Sequence, residues 1–127
     1  MLKIKNLHLL VSTLILIPVA LAYGVNPKLV LPLFFDFKVE SIDLTNIFRV
    51  IMVLYFGIAA MLIKGMRDEK YWLTATVLNM VFMGSLGFGR LLSMVLDGLP
   101  STLFIVGFFG ETILGVWSFI NLKKYKN

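Results

Sequence analysis

The chain has 127 residues, of which 59% are hydrophobic and only 15% are charged. Because a soluble globular domain carries about 25% charged residues, this composition excludes an ordinary soluble protein and indicates a membrane protein. The length fits a single domain, residues 1–127, and the lack of cysteine excludes disulfides and thiolate metal sites. The formal net charge of +5 does not indicate nucleic-acid binding, because the basic residues lie at the ends of apolar runs.

Four apolar segments follow one another along the chain, at residues 7–23, 44–63, 71–96 and 101–122. About 20 apolar residues cross the hydrocarbon core, so each segment predicts a transmembrane helix. The first follows Lys3 and Lys5 as in a signal peptide, but we interpret it as a retained helix because no convincing cleavage site follows. The predicted fold is therefore all-α, an integral membrane bundle of four transmembrane helices with up-down-up-down topology.

The basic residues indicate the orientation of this bundle. Eight of the 12 lysines and arginines lie before the first segment, between the second and third, or after the fourth. Because cytoplasmic loops are enriched in lysine and arginine, both termini are expected in the cytoplasm.

The outer loop, residues 25–43, is expected on the opposite side of the membrane. Its first part is apolar but too short to span, so it either lies at the interface or folds over the mouth of the bundle. Residues 35–40 alternate between apolar and charged side chains, as in a β-strand, so a short β-hairpin is one interpretation of this segment.

Two charged residues interrupt the apolar segments at depth, Arg90 in the third and Glu111 in the fourth. A charge near the bilayer centre costs at least ~2.5–3.5 kcal/mol on insertion scales, so both residues are expected to face the bundle interior. Side chains lean towards the N-terminus of their own helix, and these two helices are antiparallel neighbours across a tight turn. Arg90 and Glu111 are therefore expected to pair, directly or through water.

Further polar residues extend this predicted cluster towards the outer surface. Arg49 lies one turn after Asn46 near the start of the second segment, and we expect it to lean towards Asp43, Asp97 or a lipid phosphate. The candidate ligand-binding or polar cluster consists of Asp43, Asn46, Arg49, Arg90, Ser93, Asp97 and Glu111. A satisfied ion network, a site for a ligand or for protons, and a patch for a membrane partner all stay open as interpretations.

Other polar or polarisable residues are assigned structural roles. His8 is expected at the membrane interface, and Asn79 is expected to bond across helices. The glycines near Arg90 and Glu111 are expected to pack helices closely. Met80, Met83 and Met94 are interpreted as core packing and not as copper ligands. No catalytic residue and no metal site is predicted, and any cofactor is unknown.

Several short motifs occur in order along the chain. They are Ala22-Tyr23-Gly24, Asn26-Pro27, Asp43-Leu44, Asn46-Ile47-Phe48-Arg49, Gly89-Arg90, Ser93, Asp97-Gly98-Leu99-Pro100 and Glu111. This order resembles a small bacterial four-helix membrane protein family of unknown function, similar in outline to the DoxX-like membrane proteins. The resemblance implies a four-helix bundle and highlights the same polar positions, and it transfers no substrate or catalytic residue. The expected location is the bacterial inner membrane, as a multi-pass protein. Some DoxX-like proteins are associated with quinone-linked oxidoreductase systems.

These features favour a small, non-catalytic membrane protein. In this interpretation the polar cluster binds a lipid- or quinone-like amphiphile or a membrane partner, with Arg49 and Arg90 facing a head group. One alternative is an oligomeric transporter of protons or small solutes that uses Glu111. Another is an accessory subunit of a membrane redox complex, and an enzyme with Glu111 as general acid or base is less favoured. Expected partners are membrane lipids, with a homo-oligomer or larger membrane complex left open and no nucleic acid.

Overall fold

The computed structural model describes residues 3–126 and is helical almost throughout. The five α-helices of this part are α1 (Leu7–Gly24), α2 (Pro27–Phe34), α3 (Ile42–Arg67), α4 (Trp72–Asp97) and α5 (Thr102–Tyr125). Short 3-10 turns at Ile4–Asn6 and Glu69–Tyr71 precede α1 and α4. Residues 3–126 contain no strand, so the β-hairpin considered for residues 35–40 does not form.

Four of these helices, α1, α3, α4 and α5, are long and apolar enough to cross a membrane. Their outward faces carry large apolar side chains, as contact with lipid requires. Val50, Phe88 and Val95 are each more than half exposed. The predicted all-α bundle of four transmembrane helices is confirmed for the described residues, whereas the orientation of the termini stays a prediction.

The spanning helices pack as two antiparallel pairs. Helix α1 packs against α3 and α4 packs against α5, while α3 also contacts α4 and so joins the pairs. The start of α1 and the end of α5 lie at one end of the bundle, which we call the terminal end. Helix α2 and the turn at residues 98–101 lie at the other, which we call the loop end.

Glycine allows neighbouring helices of the bundle to approach closely. A Cβ atom added at Gly24 would overlap Cβ of Met52, across the α1–α3 contact. A Cβ atom added at Gly115 would lie 3.1 Å from the backbone nitrogen of Gly84, across the α4–α5 contact. Larger side chains at either position would force the helices apart, as is common for small residues between membrane helices. The predicted packing role of the glycines is confirmed for Gly115.

The connection between α1 and α3 folds over the loop end. The side chain of Asn26 accepts a 3.3 Å hydrogen bond from the Leu29 N–H, and Pro27 occupies the first turn, so α2 begins with a cap and a proline that suits it. Leu31 and Val39 are almost completely buried beneath the connection. The sequence allowed this connection to lie either at the membrane interface or over the mouth of the bundle, and it lies over the mouth. The eight-residue helix α2 within it was not predicted.

A hydrogen bond fastens the far part of this connection. The Asp36 N–H donates to Oγ of Ser101 at 2.9 Å, in the turn between α4 and α5. Nearby, the ring of Phe35 stacks on Phe104 at 4.3 Å between centroids. The connection is therefore held to α5 by both polar and aromatic contacts.

Candidate functional site

The two charged residues deep in α4 and α5 pair with each other. Arg90 donates through Nε to Oε1 of Glu111 and through Nη2 to Oε2 at 3.2 Å. Two parallel hydrogen bonds between a guanidinium and a carboxylate form a strong and directional bidentate pair. The predicted pairing of Arg90 and Glu111 is confirmed, and the two opposite charges leave the site neutral overall.

Aromatic side chains and a glycine surround the guanidinium of Arg90. Its central carbon lies 5.1 Å from the centroid of the Phe104 ring, within the range of a cation–π contact. Gly107 lies one turn further along α5, where a Cβ would stand only 3.4 Å from Nε of Arg90. The hydroxyl of Tyr23, from α1, also lies within reach of the guanidinium. Arg90 is thus held by α1 and α5 as well as by its own helix.

A cleft of about 400 Å³ runs beside the ion pair, between α1 and α5. Ile15 of α1 and Leu103 and Val106 of α5 line its edges and are about half exposed, so the cleft opens sideways towards lipid. Phe34 and Phe35 line it at the loop end. Its volume lies within the range of small-molecule sites, about 300–1,000 Å³, and its mainly apolar lining is typical of them.

Few polar groups face this cleft, and they lie together. Arg90, Glu111, Tyr23 and Tyr55 are the lining residues that carry hydrogen-bonding side chains. All four lie on the loop-end side of the cleft, one to two turns from its deepest residues. An elongated molecule in the cleft would meet polar groups at one end and apolar groups along the rest.

A second cavity of about 500 Å³ lies on the other side of Arg90, between α3 and α4. Tyr23, Tyr55 and Arg90 line both cavities, and they form a partition across the interior of the bundle. Ser93, a residue of the predicted cluster, lines this second cavity beside Arg90. The structure therefore brings together Arg90, Glu111 and Ser93 out of the seven predicted residues.

The other four predicted residues lie apart from the pair. Arg49 and Asn46 are exposed on the outward face of α3, while Asp43 and Asp97 are exposed at helix ends. The ion pairs within residues 3–126 are Arg90–Glu111 and Lys5–Glu69, and neither involves these four. The predicted seven-residue cluster is therefore corrected to a pair with one neighbour.

Helix geometry explains the displacement of Arg49. Phe48 of α3 faces the core, with its ring 5.6 Å from that of Tyr23. Successive residues of an α-helix are turned by about 100°, so Arg49 faces away from the core when Phe48 faces into it. The position of Arg49 along the chain predicts its depth in the membrane but not the direction it faces, because either face of that helix is apolar enough to pack.

A second polar group lies in the terminal half of the bundle, and of its bonds only that of Asn79 was predicted from the sequence. His8, expected at the interface, is completely buried. Its Nε2 lies 3.1 Å from Oγ1 of Thr76, and its Nδ1 lies 2.9 Å from Nδ2 of Asn121. One turn deeper, Asn79 donates to Oγ of Ser118 at 2.8 Å, which confirms the predicted bond across helices. We call these five residues the His8 layer.

The signal for this layer was present in the sequence. Polar residues recur three or four positions apart on three helices, which places them on one face of each. They are His8 and Ser12, Thr76 and Asn79, and Ser118 and Asn121. The depth of His8 alone did not reveal this, since only the three helices together define an interior.

An apolar layer separates the two polar groups. Leu16, Met83 and Leu114 are each nearly completely buried, and all three line the deep part of the cleft. Each lies four residues, or about one helical turn, from a polar residue on the same helix: Ser12, Asn79 and Ser118. The apolar layer is therefore one turn closer to Arg90 and Glu111 than those polar residues are. The burial of Met83 here supports the core-packing role expected for it.

The described side chains offer little for metal chemistry. Residues 3–126 hold no group of three or more His, Asp or Glu side chains arranged to bind a metal ion. The groups available for a ligand are hydrogen-bond donors and acceptors and an apolar wall.

Comparison with known proteins gives one match. The profile of a family described as a domain of unknown function, DUF4345, matches residues 4–122. The matched range includes Arg90, Glu111 and the whole cleft. No curated protein and no solved structure matches the chain significantly. The match agrees with the expected family of unknown function, and the resemblance to DoxX-like proteins is not confirmed by it.

Proposed function

This chain belongs to the DUF4345 family, and we propose that it is a non-catalytic membrane protein that binds an uncharged amphiphile in the cleft between α1 and α5. It is a small protein with four helices that are apolar enough to span a membrane. One observation carries the proposal: the Arg90–Glu111 pair lies in the wall of an apolar cleft that opens sideways.

The shape and lining of the cleft favour an amphiphile. Apolar side chains line its length, and polar groups gather on its loop-end side, next to Arg90. A lipid in a bilayer likewise has its head group towards one surface and its tail towards the midplane. A molecule that entered from the surrounding lipid would therefore meet the cleft in the orientation it already has.

The charge of the site favours an uncharged head group. Glu111 already neutralises Arg90, and an anionic head group would have to displace a bidentate partner. Arginine carries five N–H donors, of which Glu111 accepts two. Carbonyl or hydroxyl oxygens of a quinone or a neutral lipid can accept from the remainder. We therefore propose a head group rich in acceptors and without net charge.

A filled cleft tests this proposal. Gly110 lines the cleft, and a Cβ added there would meet nothing within 4 Å, so Gly110→Leu should fill it without disturbing the helix contacts. The wild type in detergent is titrated with a short-chain quinone, a monoacylglycerol and the matching fatty acid, and binding is followed by native mass spectrometry. We expect the two neutral ligands to bind and Gly110→Leu to lose them.

Gly89→Leu is the matched control, because Gly89 is equally open but lines the cavity on the other side of Arg90. It should retain both neutral ligands. Absence of binding in the wild type, or unchanged binding in Gly110→Leu, would contradict the proposal. Tighter binding of the fatty acid would contradict the uncharged head group.

Transport with Glu111 as the titrating group is the second candidate, and the His8 layer favours it. The cleft and this layer lie in opposite halves of the bundle and are separated by the layer of Leu16, Met83 and Leu114. Movement of this one apolar layer would connect them. In proteoliposomes, proton flux should be lost in Glu111→Gln and kept in Glu40→Gln, an exposed residue before α3. Flux that persists in Glu111→Gln would eliminate this candidate.

We further propose the bacterial inner membrane as the location, with both termini in the cytoplasm. The support is the distribution of basic residues, eight of 12 of which lie at the terminal end. An accessory role in a redox complex and assembly into an oligomer stay predictions.

A further inference from the structure

The outward face of α3 carries a shallow groove, wide open towards the surrounding lipid, that is separate from the cleft. It is lined by α3 alone, so it is a strip of one helix surface and not an enclosed cavity. Asn46 and Arg49 lie at its loop-end side, Val50, Val53 and Leu54 form its length, and Gly57 lies near its far end. We propose that this groove binds a phospholipid, with the phosphate held by Arg49 and Asn46 and one acyl chain lying along the groove.

Arg49 is a cation on a lipid-facing surface. It is exposed, and it is the eighth residue of α3, which places it about 10 Å from the start of the helix. Neither ion pair within residues 3–126 includes it. A charge at this depth is costly in hydrocarbon, and a lipid-facing arginine reduces the cost by extending to the head groups. Its side chain leans towards the N-terminus of α3, which is the direction of the loop-end surface.

The polar end of the groove suits a phosphate. A guanidinium can donate two parallel hydrogen bonds to two phosphate oxygens, and its charge is complementary to theirs. Asn46 lies three residues before Arg49, so the two side chains are neighbours on the helix surface. The amide of Asn46 can donate a further hydrogen bond to the same group.

The length of the groove suits an acyl chain. From Asn46 to Ile58 the helix rises about 18 Å, whereas one leaflet contributes about half of a hydrocarbon core ~30 Å thick. Val50, Val53 and Leu54 are all more than half exposed, so they present apolar surface to the chain. At Gly57 a Cβ would meet nothing within 4 Å, which leaves a depression where the chain would end. The polar and apolar parts of the groove thus match one phospholipid in one leaflet.

Lipid selectivity tests this inference. The delipidated protein in detergent is titrated with phosphatidylglycerol and with diacylglycerol of the same chains, and bound lipid is counted by native mass spectrometry. We expect the wild type to prefer phosphatidylglycerol by about tenfold or more, because charge-assisted hydrogen bonds to the phosphate are lost with diacylglycerol. Arg49→Gln should abolish this preference, and Gly57→Leu, which fills the depression, should weaken phosphatidylglycerol binding.

Two controls separate this site from other lipid contacts. Arg67→Gln removes an exposed arginine at the other end of α3, outside the groove, and should bind like the wild type. Gly110→Leu fills the cleft between α1 and α5 and should also keep the preference for phosphatidylglycerol. The result for the groove on α3 is therefore independent of whether the cleft binds an amphiphile.

Three results would overturn the inference. They are equal binding of the two lipids by the wild type, an unchanged preference in Arg49→Gln, and a dimer that forms through this face and is dissociated by Gly57→Leu. The last result would assign the groove to a second copy of the chain. If Arg49→Gln does not fold, the lipid preference of the wild type and the binding of phosphatidylglycerol by Gly57→Leu still test the inference.

Discussion

Asn121 donates a 2.9 Å hydrogen bond to Nδ1 of His8, and so joins the first and last spanning helices across 113 positions of sequence. Because Nδ1 accepts, the hydrogen of the neutral ring lies on Nε2, which is 3.1 Å from Oγ1 of Thr76. The ring therefore ties α1 to both α4 and α5 at the terminal end. Towards the loop end the cleft lies between α1 and α5.

Loss of this tie should destabilise the bundle. In His8→Leu the buried side chains of Asn121 and Thr76 lose a partner, and each unsatisfied group costs about 1–3 kcal/mol. We therefore expect a lower unfolding temperature in detergent, by differential scanning fluorimetry. Thr74→Val, at an exposed position of α4, should have little effect. Equal stabilities of His8→Leu and the wild type would show that the tie is unimportant.

The pair of Arg90 and Glu111 should behave as a unit. Removing one partner of a buried ion pair costs about 3–5 kcal/mol, and we expect the lower end here because both side chains keep some solvent exposure. Arg90→Gln and Glu111→Gln should each be destabilised, and the double variant should recover much of the loss. A double-mutant cycle on unfolding free energies measures the coupling. Purely additive effects would contradict the pairing.

The two glycines that follow Gly107 on α5 should respond differently to alanine. At Gly115 the new methyl group would press on the backbone of Gly84, and overpacking of this kind costs about 1–3 kcal/mol. At Gly110 there is open space, so the change should be neutral or stabilising by up to about 1 kcal/mol through helix propensity. Chemical unfolding in detergent compares the two variants, and the opposite order of stability would count against the helix contact.

Ser101 should govern the mobility of the connection over the loop end. Ser101→Ala removes the acceptor of the Asp36 N–H, at a cost of about 1 kcal/mol for one net hydrogen bond. Amide hydrogen exchange of residues 35–41 should therefore accelerate, while exchange in α3 stays unchanged. Thr102→Val, at the exposed neighbouring position, serves as the control. Unchanged exchange at Asp36 would mean that the aromatic contacts alone hold the connection.

The orientation can be tested with single cysteines, because the chain has none of its own. In intact cells a membrane-impermeant maleimide should label Lys38→Cys, at the loop end. Lys70→Cys, at the terminal end, should be labelled only after permeabilisation. The reverse pattern would invert the orientation drawn from the basic residues.

The sequence predicted how deep the charged residues lie in the bundle better than it predicted which way their side chains face. The positions of Arg90 and Glu111 along antiparallel neighbours were sufficient to predict their pairing, because the turn between α4 and α5 sets the register. For Arg49 the register was right, but packing of Phe48 on Tyr23 decides which way that helix faces. Such a contact between distant segments leaves no trace in local periodicity.

Burial of His8 and the formation of α2 were missed for different reasons. The interior around His8 is made by three helices, so no single segment shows that it is polar. Helix α2 has a readable start at Asn26 and Pro27, but its eight residues form only about two turns, which are too few to show a helical periodicity. Its stability comes from burial of Leu31 against the rest of the bundle.

Leu16, Met83 and Leu114 close the deep end of the cleft, so its opening lies at the side. A molecule that entered this cleft from the side, as proposed, would leave only through the same opening, into the leaflet from which it came. Occupancy would then report the makeup of a single leaflet and ignore the opposite one. Vesicles with asymmetric lipid composition would reveal this sidedness directly.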